Sequence, residues 1–503
     1  MTYLRINNYK YGGITINKIL PFLAVGILVF SGLSVAAITE EDAYDMVIIA
    51  PSEFSDELQP LVDHKNSHEV ITTFKSTEEI YNEYDAYDEA EEIKYFIKDA
   101  IEDWSIDYVL LVGSVYKIPI RTTWFSEEHH GNYWNETILT DLYYSDIYDE
   151  HGQFCSWDSD GDGKYGENSE DSPGSDDIVD LYPDVHIGRL ACENGKDVKT
   201  IVEKIINYET GTYGKSWYNN ILYIGGDTFP GHDGNEGEQL NNMVEQIMSD
   251  FTSTKLRTSD GTFTSRAVNK ELNKGVGFVD YSGHGFELGV ATHPPDDESW
   301  VRYNIINLPA LTNGDKLPII FFDACLTSKI DYNFSELNIN PEPVSMMPNS
   351  LLTIKNLGSI FKDFRLLKSL TKIQPISDIL VPCFAWRLLT KENGGAIATI
   401  GATRTAFGGF ESGAGKLSLE FFSAYKGSET VGQMMSQAQI GYIDDVPHDA
   451  FTVEEFILLG DPSLKIGGYE GGNCSKVNFS TSYNILQSIR QTLDELLIQV
   501  LQK

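Results

Sequence analysis

The sequence predicts an α/β fold with two adjacent subdomains, each built on a parallel sheet. Short apolar runs typical of strands alternate with helical segments, and this alternation occurs in two series that meet around Thr210–Ser216. Strand–helix alternation of this kind produces a parallel sheet with helices on both faces. The length of 503 residues also fits two or three domains of ordinary size.

The first series is expected to form a subdomain over residues 45–210. Its predicted strands are Asp45–Ala50, Val70–Phe74, Tyr108–Val112 and Val185–Arg189. Its predicted helices are Glu53–Asn66, Ala90–Asp103 and Asn194–Tyr208. A polar loop stretch, residues 143–184, precedes the last of these strands.

The second series is expected to form a subdomain over residues 211–468. Its predicted strands are Ile221–Gly225, Val276–Asp280, Leu317–Phe322 and Ala396–Ile400, and its helices are Gly237–Asp250 and Cys383–Leu389. A long insertion, residues 327–380, interrupts it and holds a basic, leucine-rich stretch at Leu351–Ile373. That stretch has three interpretations: it docks on the acidic body of the protein, it touches a membrane, or it is a removable inhibitory segment.

Both chain ends have patterns of their own. Residues 1–37 combine a basic start, an apolar run at Ile19–Phe30 and the small residues Ser34–Ala37, which is the order of a secretory signal peptide. The alternative is an uncleaved N-terminal anchor, which would then be the chain's membrane contact. Residues 469–503 carry apolar side chains at helical spacing and predict an amphipathic tail. The protein is therefore expected to be secreted or to lie on the extracellular cell surface.

Charge excludes one class of partner. The chain has 75 acidic residues against 37 basic ones and a net charge of −38. Such a surface repels nucleic acid phosphates, so no nucleic acid partner is expected. It also suits a protein that functions among divalent cations outside the cell.

Five cysteines leave at least one thiol unpaired in an exported protein. Cys155 and Cys192 flank one loop region and are expected to form a disulfide. Cys325 is then the natural free thiol.

Two short strings carry the main chemical signal. Tyr281–Phe286 reads Tyr-Ser-Gly-His-Gly-Phe, Phe321–Leu326 reads Phe-Phe-Asp-Ala-Cys-Leu, and each ends an apolar strand-like run. The carboxyl ends of neighbouring parallel strands meet at one sheet edge, where ligands bind. His284 and Cys325 are therefore expected to face one cleft.

A histidine and a cysteine in one cleft form the dyad of a cysteine peptidase. The thiolate attacks a peptide carbonyl, and the imidazole moves the proton to the leaving amine. The amides of Gly285 and Cys325 are expected to stabilise the oxyanion, since glycine permits close approach of substrate. The competing interpretation is structural, because histidines and buried cysteines usually serve packing.

Rival signatures do not occur in this sequence. It has no His-Glu-X-X-His zinc string and no Gly-X-Ser-X-Gly nucleophile string, and Gly413–Lys416 lacks the earlier glycine of a phosphate loop. Zinc proteolysis, serine hydrolysis and nucleotide hydrolysis are therefore not favoured, and no organic cofactor is expected.

An acidic string predicts a structural calcium site. The run Asp158-Ser-Asp-Gly-Asp-Gly163 places hard oxygen ligands at alternate positions, and Glu167 follows. Asp158, Asp160, Asp162 and Glu167 are the expected Ca²⁺ ligands. The twelfth position is Ser169, so a helix–loop–helix hand is not implied, and the alternative is a solvated acidic loop.

The two dyad strings resemble the His-Gly and Ala-Cys blocks of the gingipain family in the caspase-like clan of cysteine peptidases. Further similar blocks are Pro183–Leu190, Cys383–Ala385 and Leu459–Leu464. The resemblance thus covers roughly residues 45–468. It implies that the second subdomain is caspase-like and that the chain is a cysteine endopeptidase acting through a thioester acyl-enzyme on protein or peptide substrates.

The resemblance also implies supporting residues. Asp227 matches the family's acid that supports the histidine. Glu238, with Glu236 as the alternative, matches the acid that binds an Arg or Lys side chain before the scissile bond. The insertion after Cys325 departs from the family pattern, so the competing hypothesis is a catalytically silent, peptidase-like binding module.

Overall fold

A ten-stranded, mostly parallel sheet forms the centre of the protein. The computed structural model describes residues 43–129, 132–167, 177–232, 234–336 and 379–471. Within these residues its strands are β1 (Met46–Ala50), β2 (Thr72–Ser76), β3 (Tyr108–Val112), β6 (His186–Leu190), β7 (Asn220–Gly225), β8 (Thr252–Arg257), β9 (Phe278–Ser282), β13 (Ile319–Asp323), β14 (Ala398–Ala402) and β15 (Phe456–Leu459). They lie side by side in the order β2-β1-β3-β6-β15-β14-β13-β9-β7-β8.

Helices cover the faces of this sheet, and two small sheets lie outside it. The helices are α1 (Ser55–Asn66), α2 (Thr77–Glu83), α3 (Glu89–Trp104), α4 (Gly195–Gly211), α5 (Glu236–Ile247), α6 (Ser265–Lys274), α7 (Phe384–Thr390), α8 (Gly413–Ser423), α9 (Val431–Asp445) and α10 (Ala450–Glu455). The small sheets are the hairpin β4 (Arg121–His129) with β5 (Asn132–Thr140), and the three strands β10 (His284–Phe286), β11 (Gly289–Thr292) and β12 (Val301–Asn304).

The strands of both predicted subdomains join in one sheet. The strands β2, β1, β3, β6 and β15 run parallel to one another, and so do β14, β13, β9, β7 and β8. The two groups meet where β15 pairs antiparallel with β14. Each group therefore presents its carboxyl ends at the opposite edge, and one cluster of buried apolar side chains continues through both.

Two of the sequence blocks outside the dyad meet where β6 and β15 pair. A Cβ atom on Gly188 would lie 2.4 Å from the carbonyl oxygen of Gly460, so this crossing requires glycine. The fully buried Arg189 beside it holds Asp141 through two hydrogen bonds, of 2.7 and 2.8 Å. Its remaining donors reach main-chain carbonyl oxygens. The blocks therefore fix the pairing of β15 with β6 inside the first group of strands.

A buried ionic cluster ties α1 and α4 to the segment after β15. The ammonium group of Lys65 lies 2.8 Å from a carboxylate oxygen of Glu209 and 2.7 Å from one of Asp461, and all three side chains are fully buried. His64 contacts the second carboxylate oxygen of Glu209 at 2.8 Å. The nearby carboxylates raise the pKa of Lys65, although burial alone would lower it, and Lys65 in turn lowers the pKa of Glu209 against the effect of burial.

The predicted disulfide between Cys155 and Cys192 is corrected by the structure, in which both thiols are buried and free. Cys155 Sγ donates to the carbonyl oxygen of Ile178 at 2.9 Å in the loop region. Cys192 instead follows β6, and its carbonyl oxygen accepts from the amide of Ser114. Each cysteine is therefore held by a different part of the first half.

The described ends of the insertion lie side by side. The amide of Phe334 donates to the carbonyl oxygen of Ile379, and the amide of Val381 donates to that of Tyr332. The chain thus leaves and re-enters the second half at one point. The predicted basic stretch at 351–373, the N-terminal segment 1–37 and most of the tail 469–503 lie outside the described residues. None of the helices in the described ranges combines the length and hydropathy that a bilayer crossing requires.

Candidate active site

The neighbouring strands β9 and β13 deliver His284 and Cys325 to the same sheet edge. Their last residues, Ser282 and Asp323, stand opposite each other in the parallel ladder. Beyond Cys325, Leu326 adopts a left-handed backbone with φ of 57°, which is strained for a residue with a side chain. The chain therefore turns away from the direction of β13 directly after the cysteine.

Both side chains line one cavity of about 440 Å³. Its other lining residues come from the loop after β7, the start of α5, the ends of β9 and β13, and the loop before α8. They include Thr228, Phe229, Glu236, Ser282, Gly283, Gly285, Asp323, Ala324, Leu326, Thr405, Ala406, Gly408, Gly409 and Phe410. The predicted meeting of the histidine and the cysteine in one cleft is therefore what the fold produces.

The thiol of Cys325 is protonated in this site. It donates to the carbonyl oxygen of Ala406 at 3.4 Å. Burial raises its pKa to about 11, and the charge of Glu455 adds to the effect. A base must therefore remove the proton before or during attack on a substrate.

The imidazole of His284 is oriented as such a base. Its Nε2 lies 2.8 Å from the carbonyl oxygen of Thr228. A carbonyl oxygen only accepts hydrogen bonds, so Nε2 carries the proton and Nδ1 keeps a free lone pair. The rings of Phe229 and Trp300 lie edge-on to the imidazole at 5.9 and 5.2 Å between centroids. Burial lowers the pKa of His284, which favours the neutral form that accepts a proton.

Gly285 lies directly against the backbone of Cys325. A Cβ atom at Gly285 would be 2.2 Å from the carbonyl oxygen of Cys325, so no other residue fits without displacing the nucleophile. The two predicted oxyanion donors thus belong to main-chain segments that are in contact.

The carboxylate of Asp227, which was predicted to orient His284, makes its hydrogen bond to a different residue. The carboxylate of Asp227 accepts from the amide of Asp296 at 3.1 Å, and its other oxygen has no hydrogen-bond partner in the described part of the chain. The main chain of Asp227 pairs in both directions with His293, and no hydrogen bond joins its carboxylate to His284 in the described part of the chain. The carbonyl oxygen of Thr228 holds the imidazole instead, and a main-chain acceptor leaves no signal in a sequence.

The two predicted substrate-binding acids have different positions. Glu238 does not line the cavity; its carboxylate accepts from the amide of Ser259 at 3.0 Å and from the hydroxyl at 2.7 Å, with Arg257 3.8 Å away. Glu236 does line the cavity, at the first turn of α5, where it accepts from the amide of Thr228 at 3.0 Å. Because residues two apart on a helix face different directions, the structure favours the alternative Glu236 over Glu238.

A third sequence block supports the loops of the dyad. At the start of α7, the amide of Phe384 donates to the carbonyl oxygen of Glu287, and the amide of Ala385 donates to that of Thr327. One short helix therefore holds the segments that follow both His284 and Cys325. The residue type alone would not have revealed this, since both contacts are made by the main chain.

The acidic loop assembles a different set of carboxylates from the one predicted. Oxygen atoms of Asp158, Asp160 and Asp177 lie within 4.8 Å of one another. One oxygen of Asp158 is buried and has no hydrogen-bond partner among the described residues. Such an orphaned oxygen fits a cation ligand. Asp177 was not predicted as a ligand because it lies far from Asp158 in the sequence.

Asp162 and Glu167, by contrast, turn toward a lysine. The ammonium group of Lys164 lies 2.7 Å from Asp162 and 3.2 Å from Glu167. In this structure both carboxylates have a lysine partner, and their role as metal ligands stays a prediction. The alternating aspartates correctly indicated that Asp162 belongs to this loop, but they did not indicate that Lys164 would contact its carboxylate.

Solved structures show the same fold. The chain matches the crystal structure of the Arg-specific cysteine proteinase gingipain R with a TM-score of 0.57 and 20% identity, over 85% of this chain and 78% of that one. The complex of the pro- and mature domains of Porphyromonas gingivalis RgpB matches with the same TM-score and identity, over 84% of this chain and 79% of that one. The large sheet and its helices are thus those of a gingipain.

Sequence relatives and a family model agree with the fold. Gingipain R2 of Porphyromonas gingivalis is 26% identical over 302 residues, which is 59% of this chain and 34% of the relative, so the chain spans about a third of that protein. Lys-gingipain of the same organism is 24% identical over 166 residues, covering 30% of this chain and 8% of the relative. The model of peptidase family C25 matches residues 39–467. The chain therefore belongs to peptidase family C25, the gingipain family of cysteine peptidases.

Proposed function

We propose that this chain is a cysteine endopeptidase in which Cys325 is the nucleophile and His284 the general base and acid. The observation that carries the proposal is the cavity shared by the two side chains, with the imidazole held at Nε2 so that Nδ1 is available. Membership of family C25 supports it.

The proposed mechanism uses His284 for two successive proton transfers. Neutral His284 takes the thiol proton as Sγ attacks the substrate carbonyl carbon, and the amides of Gly285 and Cys325 stabilise the oxyanion. The imidazolium then protonates the leaving amine, and a thioester remains on Cys325. Water activated by the same imidazole hydrolyses the thioester, which frees the carboxylate product and the thiol.

The proposal includes a preference for Arg or Lys before the scissile bond. Glu236 supplies a carboxylate to a cavity whose walls are otherwise mainly apolar, including Phe229 and Phe410. A long apolar stem with a cationic end fits that combination. The related Arg-specific gingipain R and Lys-gingipain support this choice.

Digestion of a mixed peptide library tests both the activity and the preference. The wild-type protein is expected to cut after Arg or Lys, and Glu236→Gln to lower kcat/KM on those sites by roughly 10- to 100-fold, because one ion pair in a partly buried site contributes about 1.5–3 kcal/mol. Glu238→Gln is the matched control and is expected to keep the preference, since Ser259 holds its carboxylate outside the cavity. Absence of cleavage under all conditions, including added Ca²⁺, would favour the silent binding module.

The pH dependence of peptide cleavage follows from the two pKa shifts. Burial lowers the pKa of His284 below its ordinary 6.5, and neutral imidazole is the active form, so activity is lost as the pH falls through that lowered value. Burial raises the pKa of Cys325 to about 11, so no thiol ionisation intervenes near neutrality. The profile of kcat/KM on one peptide is expected to rise below pH 6.5 and then stay level to about pH 9. An alkaline limb near pH 8, typical of a preformed thiolate–imidazolium pair, would contradict this.

The proposal also includes a structural Ca²⁺ held by Asp158, Asp160 and Asp177. Three carboxylates in one place repel one another, and a divalent cation relieves that repulsion. The cation would also bind the buried oxygen of Asp158 that has no hydrogen-bond partner in the described part of the chain. The loop sits on the first half of the sheet through Trp157, whose indole donates to Asp146 at 3.0 Å. Its expected effect is therefore on stability.

Thermal unfolding with and without Ca²⁺ tests this site. Saturating Ca²⁺ is expected to add about 2–4 kcal/mol to the free energy of unfolding and so to raise Tm relative to a chelator. Asp177→Asn should remove the difference, whereas Asp162→Asn should keep it because Lys164 occupies that carboxylate. An unchanged Tm in chelator for the wild type would contradict the site.

We also propose that the protein acts outside the cell. The signal-like order of residues 1–37 and the net charge of −38 support this, as does similarity to gingipains. Detection of the mature N-terminus after residue 37 in culture medium would test it.

A further inference from the structure

A fully buried lysine lies between two carboxylates where α1, α4 and the segment after β15 meet. The nitrogen of Lys65 is 2.7 Å from Asp461 Oδ2 and 2.8 Å from Glu209 Oε1, and none of the three side chains is exposed. None of them lines the active-site cavity, and the peptidase mechanism does not use them. An amine, a carboxyl group and a proton carrier that touch one another away from water are the components of amide formation between side chains.

The carboxylate of Asp461 is held so that its two oxygens differ. Oδ1 accepts hydrogen bonds from the amide of Ser463 at 2.9 Å and from its hydroxyl at 2.8 Å. Oδ2 faces Lys65 and accepts no hydrogen bond from any other described residue. Two donors on Oδ1 stabilise the charge that develops there when a nucleophile adds to the carboxyl carbon, as donors do in an oxyanion hole. Oδ2 is therefore the oxygen that is free to leave.

Glu209 is placed to carry protons. Its Oε1 accepts from the amide of Lys465 at 2.7 Å as well as from Lys65, and its Oε2 contacts His64 Nε2 at 2.8 Å. Burial alone would raise the pKa of Glu209, but the charge of Lys65 and the contact with His64 lower it. Glu209 is therefore an ionised base directly beside the lysine nitrogen.

Burial also favours the condensation of the lysine with the aspartate. Charges in a dry interior have lost their hydration, and their mutual attraction offsets that loss only in part. Joining Lys65 to Asp461 replaces two charges by a neutral amide and releases a water molecule to the solvent. Side chains that are already fixed in contact also react without the entropy loss of an encounter, which corresponds to a very high effective concentration.

We propose that Lys65 and Asp461 condense to an isopeptide bond, with Glu209 as the proton carrier. The ammonium is the resting form, so the reaction begins when Lys65 passes a proton to Asp461 Oδ2. Nζ then bonds to Cγ, and Glu209 takes a second proton from the nitrogen. Glu209 returns this proton to the leaving hydroxyl, the Cγ–Oδ2 bond breaks and one water molecule departs. The reaction needs no oxidant and no other reactant.

The bond ties together segments that are far apart in the sequence. It joins the last turn of α1 to the second residue after β15, and β15 is the strand at which the two groups of strands meet. Such a crosslink restricts the unfolded chain as a disulfide does, in a protein whose cysteines in the described ranges are free thiols. Unreacted protein keeps the ion pair, and Lys65→Met, which forms neither, is compared with unreacted wild type in unfolding experiments.

Peptide mapping of the full-length wild-type protein tests the proposal. The folded protein is incubated overnight, denatured, digested and searched by mass spectrometry for a branched peptide that contains Lys65 and Asp461 and lacks the mass of one water molecule. This peptide is expected to accumulate with time. Glu209→Gln is expected to slow its formation by about 100-fold or more, because general acid–base catalysis contributes about 10²–10⁴-fold. Asp461→Ala is expected to abolish it.

Lys416 is the matched control within the same digest. Its nitrogen lies 2.6 Å from both Glu420 and Asp445, as close as the contacts of Lys65, but all three side chains are partly exposed. Water hydrates these charges, so their conversion to an amide is not favoured. No branched peptide that contains Lys416 is expected. Equal reaction at both lysines would show that proximity alone produces the crosslink, and would overturn the role given to the buried site.

The decisive measurement is made on the wild type and does not depend on the folding of a variant. Absence of the branched peptide from folded, incubated protein overturns the inference, and so does a crosslink that joins Lys65 to Glu209 instead. Circular dichroism of Glu209→Gln checks its fold. Formation of the crosslink by folded Glu209→Gln at the wild-type rate would refute the role of Glu209 as proton carrier.

Discussion

Cys325→Ala is expected to abolish peptide cleavage, with kcat/KM reduced by about 10⁴-fold or more. The nucleophile is lost outright, and residual oxyanion stabilisation cannot replace covalent attack. The fold should survive, since the thiol makes a single long hydrogen bond, 3.4 Å, to Ala406. Circular dichroism and thermal unfolding of the variant check the fold, and initial rates on the best library peptide check the activity.

Cys192→Ala is the matched control for this experiment. Cys192 is also a free thiol, fully buried next to β6 in the other half of the sheet. Its removal should lower stability and leave kcat/KM within about threefold. Iodoacetamide labelling should mark Cys325 in the wild type and not in Cys325→Ala. Cleavage retained by Cys325→Ala would refute its role as nucleophile.

Lys65→Met is expected to lower the free energy of unfolding by about 3–5 kcal/mol. The substitution keeps most of the length of the side chain but leaves Glu209 and Asp461 buried without their ammonium partner. Two uncompensated carboxylates in a low-dielectric interior account for the size of the loss. Urea unfolding followed by tryptophan fluorescence measures it.

The same variant has a characteristic pH response. Lys65 lowers the pKa of Glu209 in the folded wild type. The stability that this ion pair contributes is therefore fully present above the ordinary pKa of 4.5 and is lost as the pH falls through the lowered pKa. The difference between wild type and Lys65→Met should therefore shrink in acid. Lys98→Met, which removes the partly exposed partner of Glu102 at the surface, should cost less than about 1 kcal/mol. A loss that small for Lys65→Met would contradict the buried cluster.

Strands in the sheet centre were the most readable part of the sequence. The predicted strand Tyr108–Val112 matches β3, because a strand buried on both faces reads as an unbroken apolar run. The edge strand β8, Thr252–Arg257, was missed because it is polar and largely open to solvent. The hairpin of β4 and β5 was missed for a similar reason, since it lies outside the main sheet and has no continuous apolar run.

No local sequence pattern indicated that the two predicted sheets would join into one. It depends on β15, which lies far along the chain from β6 and pairs with it near Leu459 and Arg189. The blocks around these residues were noticed as a resemblance, and the structure supplies their physical reason. Pairing over such a sequence distance is decided by tertiary packing.

The candidate site divides in the same way. His284 and Cys325 were predictable, because residue type and position at strand ends both point to them. The acceptor that orients the imidazole was not predictable. It is the main-chain carbonyl oxygen of Thr228, and every residue type has such an oxygen. Whether Glu236 or Glu238 reaches the cavity depends on helix phase at the start of α5, which a loop-rich sequence leaves open.

Trapping the acyl-enzyme tests the central claim most directly. The wild-type protein is mixed with its best peptide substrate, quenched in acid within milliseconds to seconds and digested for mass spectrometry. A thioester that joins the amino-terminal half of the substrate to Cys325, absent from Cys325→Ala and accumulating less in His284→Ala, is the predicted result. Turnover by Cys325→Ala, or an acyl group on a different residue of the wild type, would contradict the account.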